Sequence, residues 1–410
     1  MGPNASARCA LLVVLLAGAV PARAQELPAG PISALDGRLA IAGEVVATAG
    51  GTDTTAFFNY TDYEHNALRM VRLALSGEWR PMPQLAFVGE LRAEDFSRLT
   101  PHAAYVRVRP WTAHRFDIQA GRIPPVFGAF SRRAYGSADG VIGYPLAYQY
   151  LTSLRSDAAP ATANDLLLMR ARGWRSEFPV GSPDAAPGIP LVTAFQWDTG
   201  VQAQWASDRV TVAGAVTNGT LSVPRIGDDN DGKQLSARVA VRPIFGLVTG
   251  VSASHGSWLS SRVVDALPDA ARDVSHAQTA AGADVEYSRD HWIVRAEAVW
   301  SRWRVPTPES ATGVVLPVSA LGMFVEGRYR FSPRVFAAAR LDSLTFSSIT
   351  GSLAGGRPTS WDAPVRRAEV AVGYYVQRNL IARLSVQHNE RDGGRVRHRT
   401  FVAGQLFYWF

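Results

Sequence analysis

The sequence has almost no cysteine and almost no lysine. The single cysteine, Cys9, sits just before an apolar run near the amino terminus. Once that leader is removed, disulfides and thiolate metal sites are excluded. The single lysine is Lys233, so nearly all positive charge is arginine. The formal net charge is +7, but the arginines are scattered singly rather than gathered into tracts. Basic tracts mark nucleic-acid partners, and without them no nucleic-acid partner is expected. GC-rich coding would give the same lysine-poor bias. Beyond the leader no segment reaches 18 consecutive apolar residues, which excludes a transmembrane helix. The eight histidines show no H-x-x-x-H or similarly tight spacing, so neither a metal nor a cofactor is expected.

What is present begins with the leader. Arg8 precedes the apolar run Cys9 to Val20, and Ala22 and Ala24 then form an A-x-A exit. This is the pattern of a secretory signal peptide, cleaved after Ala24. The run is shorter than the ~20 residues a membrane helix needs. Losing Arg8 and Arg23 lowers the net charge from +7 to +5. A long, exported, cysteine-free chain fits the envelope of a Gram-negative bacterium. The expected organisation is a signal peptide (1–24), a short lead-in (25–34) and one body (35–410).

That body alternates with period two. In HWIVRAEAVWSRWR, Trp292, Val294, Ala296, Ala298 and Trp300 share one face, and Ile293, Arg295, Glu297, Val299 and Ser301 share the other. RRAEVAVGYYVQ and MPQLAFVGELRAED follow the same scheme. Sandwich strands average ~5–6 residues, whereas these runs are longer, near the ~9–11 that a tilted strand needs to cross hydrocarbon. Aromatics close the apolar faces, as at the girdles of the two membrane interfaces.

Sixteen such runs are predicted: 35–48, 65–79, 84–95, 101–110, 114–122, 193–206, 209–218, 233–243, 245–257, 277–288, 291–303, 316–331, 334–346, 365–377, 380–390 and 398–410. Short breaks such as Ser207-Asp208, Arg289-Asp290 and Arg378-Asn379 alternate with longer ones, the longest being 123–192. Membrane barrels have short periplasmic turns and long external loops. The fold class expected is therefore all-β, a transmembrane antiparallel barrel of about sixteen strands. Its long loop after the fifth strand folds toward the lumen.

These features together resemble the bacterial general porins. The closing stretch FVAGQLFYWF, with Phe410 last and Tyr408 third from the end, is similar to the signal read by the barrel-assembly machinery. IQAGRIPPVFGAF (118–130) is similar to a strand exit of the phosphate-selective porins, although the lysine ladder of a strongly phosphate-selective pore is missing. The resemblance implies an outer-membrane location, outer-membrane lipid as the surrounding solvent, and a homotrimer as a candidate assembly.

If the apolar faces meet lipid, the other faces line the lumen. The inward arginines are then Arg72, Arg92, Arg107, Arg109, Arg115, Arg238, Arg242, Arg295, Arg328, Arg330, Arg340, Arg367 and Arg383. The inward acids are Glu44, Glu78, Glu90, Glu94, Asp117, Asp284, Glu286, Glu297, Glu326, Asp342 and Glu369. Charged rings set ion preference in a narrow pore. The plainer reading is that these charges pair across strands and keep the wall hydrated. The long loop adds Arg132, Arg133, Arg155, Arg170, Arg172 and Arg175 against Asp139, Asp157, Asp165 and Glu177, with Tyr135, Tyr144, Tyr148 and Tyr150. It is expected to narrow the pore, set opposing charges across it and offer tyrosines for stacking. GDDNDG (227–232) fails the EF-hand spacing and reads as a solvated loop tip.

The function expected is passive diffusion of small polar or anionic solutes through a weakly anion-preferring channel, without catalysis. A hydrolase carried on the barrel rim and a plugged structural or adhesive barrel are the alternatives.

Overall fold

The computed structural model describes residues 30–410, apart from 62–64, 97, 112, 132, 134–137, 229–231 and 311–313. The expected signal peptide, Arg132 and Tyr135 lie outside the described residues, as does part of 227–232.

Sixteen strands close into one antiparallel barrel. They are β1 Leu39–Gly50, β2 Val71–Met82, β3 Leu85–Glu94, β4 Thr100–Val108, β5 Phe116–Ile123, β6 Asp198–Ala206, β7 Val210–Thr217 and β8 Gln234–Val241. The second half comprises β9 Leu247–Ser257, β10 Ala277–Arg289, β11 Trp292–Pro306, β12 Val315–Arg330, β13 Val335–Phe346, β14 Val365–Gln377, β15 Leu380–Arg391 and β16 His398–Trp409. Each strand pairs with the next, and β16 returns to β1 with Val45 opposite Tyr408. A lead-in strand, Ile32–Ala34, folds back on β1. Closure leaves the barrel no free edge, which a sheet in lipid requires.

Both expected loop classes are present. β6 and β7 are joined through Ser207–Arg209, and β10 and β11 through Asp290 and His291, with Asp290 in the left-handed region at φ 53°. The opposite end carries the longer connections. The sixth strand starts at Asp198 rather than 193. Asp198 turns the chain there by accepting hydrogen bonds from the Gly219 and Arg225 amides, so the long loop spans 124–197. No helix among the described residues is long and apolar enough to cross a membrane.

The faces sort as the alternation requires. Val294, Val325, Leu341, Val370, Leu384 and Val402 point outward and are exposed to the surroundings of the barrel. Arg295, Glu326, Arg340, Glu369 and Arg383 point inward and are buried. Two expectations change in the process. Outward aromatics gather at the periplasmic end, in pairs such as Trp79–Phe87 and Trp292–Tyr329. Beyond the outward Trp300 of β11, the other end of β11, β14 and β15 holds Arg302, Arg304, Arg366 and His388 at outward positions, so aromatics are sparse there. Nor is the inner face polar throughout. Val299, Trp303, Val318, Phe324 and Leu344 face inward and join the long loop in an apolar core.

Candidate functional site: the loop-filled lumen

The long loop carries two short helices, α1 Leu146–Gln149 and α2 Ala163–Leu168. α2 starts on a capping box in which Thr162 and Asp165 exchange side-chain bonds with each other's amides. Around these helices Tyr148, Leu154, Leu166 and Leu191 pack against Trp303, Phe324 and Leu344 of the wall. The loop therefore occupies the lumen, and it fills one side of it.

Carboxylates from four successive strands hold it by its backbone. Glu297 on β11 accepts from the Phe130 amide at 3.1 Å, and from the Tyr148 hydroxyl. Glu326 on β12 accepts from the Gly140 amide at 3.4 Å, and Asp342 on β13 from Leu146 at 3.3 Å. Glu369 on β14 accepts from Ile142 at 3.1 Å and Gly143 at 2.9 Å. Arginines take the carbonyls. Arg295 donates to Ala138 at 3.0 Å, Arg328 to the same oxygen at 3.3 Å, and Arg367 to Tyr144 at 2.8 Å. A charge-assisted bond to a backbone group is stronger than a neutral one. Gly143 is required here, because a Cβ would stand 2.5 Å from the Glu369 carboxylate.

Arg340 sits at the centre of the acids, with Asp342 at 3.0 Å, Glu369 at 3.2 Å and Glu326 at 3.6 Å, and its side chain is fully buried. Removing a buried charge from water is costly unless partners surround it, and three carboxylates do so. The sequence expectation placed Arg295, Glu297, Glu326, Arg328, Arg340, Arg367 and Glu369 on the pore lining. They do face inward, but they anchor the loop.

Four of the loop's described arginines are engaged in ion pairs. Arg133 pairs with Glu286 of β10 at 3.1 Å, and Arg155 with Asp157 at 2.8 Å. Arg170 pairs with Asp392 at 3.4 Å, and Arg175 with Glu177 at 3.2 Å. Tyr144, Tyr148 and Tyr150 are buried rather than offered for stacking. A field built from loop arginines and a tyrosine platform are thus both replaced. Tyr144 reaches across, where its hydroxyl accepts from Arg72 of β2 at 2.9 Å.

The opposite wall keeps water. Down the inner faces of β1–β4 run Glu94, Glu44, Glu90 and Glu78, with side chains 23%, 30%, 19% and 24% exposed. Arginines are interleaved with them. Arg72 lies 3.9 Å from Glu44, Arg92 2.5 Å from Glu90, and Arg107 bonds Glu78. Cross-strand pairing sets this order, with Arg72 opposite Glu94 and Ser76 opposite Glu90. Arg383 of β15 donates to Gln405 at 3.0 Å and lies over the Phe407 ring. Arg109 reaches Asp117 at 3.9 Å near the periplasmic mouth. Arg115 pairs instead with Asp208 of a periplasmic turn at 2.9 Å and is exposed on the rim, away from any constriction. At the seam, the Phe410 amide donates to Gly43 and the Gly43 amide to Phe410, at 3.0 and 3.1 Å.

A closed sixteen-strand barrel with an apolar outer belt, periplasmic turns, and a loop folded inside is the architecture of the bacterial outer-membrane barrels. Within that class the solved structures it resembles include porins and a channel. Compared by sequence, the chain matches no family model and no curated protein. Compared by structure, it is similar to the trimer form of OmpT, an outer-membrane protein of Vibrio cholerae, at TM-score 0.55 and 10% identity, over 91% of this chain and 99% of that one. It is also similar to the outer-membrane channel DcaP of Acinetobacter baumannii, at 0.53 and 10%, over 93% and 100%. The anion-selective porin of Comamonas acidovorans follows at 0.52 and 8%, over 91% and 99%. At these identities the likeness is one of fold.

Proposed function

We propose that this protein is an outer-membrane channel through which small polar solutes and ions diffuse passively, along the lane between the long loop and the β1–β4 wall. One observation carries the reading. The inward acids of β1–β3 and Arg107 of β4 keep part of their surface in water, while Arg295, Glu297, Glu326, Arg340, Asp342, Arg367 and Glu369 of β11–β14 are buried beneath the loop. A solute entering the lane meets acids and arginines alternating down one wall, at the height where Tyr144 and Arg72 narrow the lumen. Charged groups at close quarters select by sign. Because most of them are paired, the selectivity is weak. With Arg115 set on the rim, the inner face as a whole carries twelve arginines against eleven acids, and this slight excess favours anions. The resemblance to an anion-selective porin points the same way. A homotrimer is the proposed assembly, as the OmpT likeness includes a trimer form.

Reversal potentials across planar bilayers under a salt gradient test this. The expected result is small-ion conductance with a modest anion preference, and a clear cation preference would refute the charge argument. The apolar core in the outer half of the lumen favours one second reading, a barrel plugged for structural use. Absence of any conductance would select it. A rim hydrolase draws no comparable support from the lane, whose charges are acid–arginine pairs.

A further inference from the structure

We propose that His388, Glu390 and His398 form a binding site for a divalent transition-metal ion of the zinc class, on the outer surface of the barrel at its extracellular rim. His388 and Glu390 are two apart on β15, so both point outward. His398 opens β16 directly across from Glu390. The ligand atoms of the three lie within 4.8 Å of one another. The His388 ring is already set for the task. Its Nδ1 lies 2.8 Å from the Thr400 hydroxyl, its cross-strand neighbour. A hydroxyl accepting from Nδ1–H leaves the Nε2 lone pair free. That Nε2 stands 3.5 Å from Glu390 Oε1. Bonds of about 2.0–2.1 Å around a tetrahedral zinc put neighbouring ligand atoms about 3.3–3.4 Å apart, so this pair already has nearly the required separation. His398 completes the set by side-chain rotation, which an exposed residue makes freely. A hydrogen-bonding partner that fixes the imidazole tautomer is a regular feature of such sites.

Two imidazoles and one carboxylate suit zinc, cobalt or nickel rather than magnesium or calcium, which take oxygen ligands. Three protein ligands leave the fourth position to water or to an anionic group. The setting fits that use, because the Val386–Val402 pair ends the apolar belt one tier below. The site thus lies at the height of the lipid headgroups. Opposing charge is close at hand. Arg366 stands across from Glu390 on β14, and Arg397 and Asp392 share the adjoining groove. Among the described residues, however, no arginine pairs with the Glu390 carboxylate, so it remains available.

The test uses the full-length barrel without a histidine tag, folded in detergent and titrated with Co²⁺ while its visible absorption is followed. One equivalent should bind, Zn²⁺ should displace it, and excess Mg²⁺ should not. H388A, H398A and E390Q should each weaken binding at least ~10-fold, and Thr400→Val by about tenfold through loss of ring orientation. His291→Ala, at a periplasmic turn, should leave binding unchanged. All these positions are exposed, so heat-modifiable migration on gels should show each variant folded. The proposal is overturned if the H388A/H398A double variant binds Co²⁺ as the parent does. It also falls if Mg²⁺ displaces Co²⁺ as readily as Zn²⁺, or if the parent gives no cobalt band.

Discussion

Replacing Glu369 by alanine should loosen the middle of the loop without expelling it. The carboxylate accepts from the Ile142 and Gly143 amides, from Gln387 at 3.1 Å and from Arg340 at 3.2 Å. Removing one partner of a buried ion pair costs about 3–5 kcal/mol. Arg340 keeps Asp342 and Glu326, which places the loss at the lower end of that range. Each orphaned amide adds a desolvation penalty of about 1–3 kcal/mol unless water reaches it, and the two terms are not additive. Against them stand the buried side chains Leu146, Tyr148 and Leu154, each contributing about 1.5–3 kcal/mol of burial. The apolar anchors win, so only 139–144 is freed and the loop stays inside. Single-channel recording in planar bilayers should show higher conductance and more open-channel noise than the parent. Glu369→Gln keeps a carbonyl acceptor for the two amides, so its effect should be smaller, about 1–2 kcal/mol. An alanine variant with parental conductance and parental thermal stability would refute the view that wall carboxylates set the constriction.

Other consequences are equally accessible. Gly43→Val should hinder closure, because a Cβ there would sit 2.5 Å from the Phe410 ring. The heat-modifiable band on gels should weaken, while a Gly89→Ala control, where a Cβ meets nothing, should keep it. Burial pushes the Asp53 carboxyl up to about 6, although the Phe58 and Asn59 amides donate to it. A folded value above the unfolded one means that its contribution is present at low pH and is lost as pH rises from about 4 through about 6, by at most about 3 kcal/mol. Hydrogen exchange of the Phe58 amide should therefore be slower at pH 5 than at pH 8, once corrected for intrinsic rate. Trp361→Ala should cost about 3–5 kcal/mol. The side chain is fully buried against Trp303 and Phe346 and donates to the Ser319 carbonyl at 2.8 Å. Faster proteolysis within 347–364 would report it.

The alternation of Trp292 through Ser301 was enough to place that strand and both its faces. A side chain's side of a sheet depends only on whether its position is odd or even, and lipid on one side makes the pattern visible in the sequence. The same local rule fixed the strand count and the alternation of turns with loops. It failed inside the lumen. Arg340 and Glu78 have the same inward parity, yet one is sealed and the other is wetted. The difference is the position of the loop, and the loop is held by the amides of Phe130, Gly140, Ile142, Gly143 and Leu146. Every residue but proline carries such an amide, so composition gives no sign of which ones a carboxylate will bind. The loop arginines were legible as charges, but their partners were not. His388, Glu390 and His398 likewise lack a recognisable spacing, because the β15–β16 turn brings the third member to the first two. The sequence thus determined which residues face lipid and which face the interior, since that depends on backbone period alone. Only the tertiary structure decided which interior charges meet water, since that depends on where a long segment comes to rest.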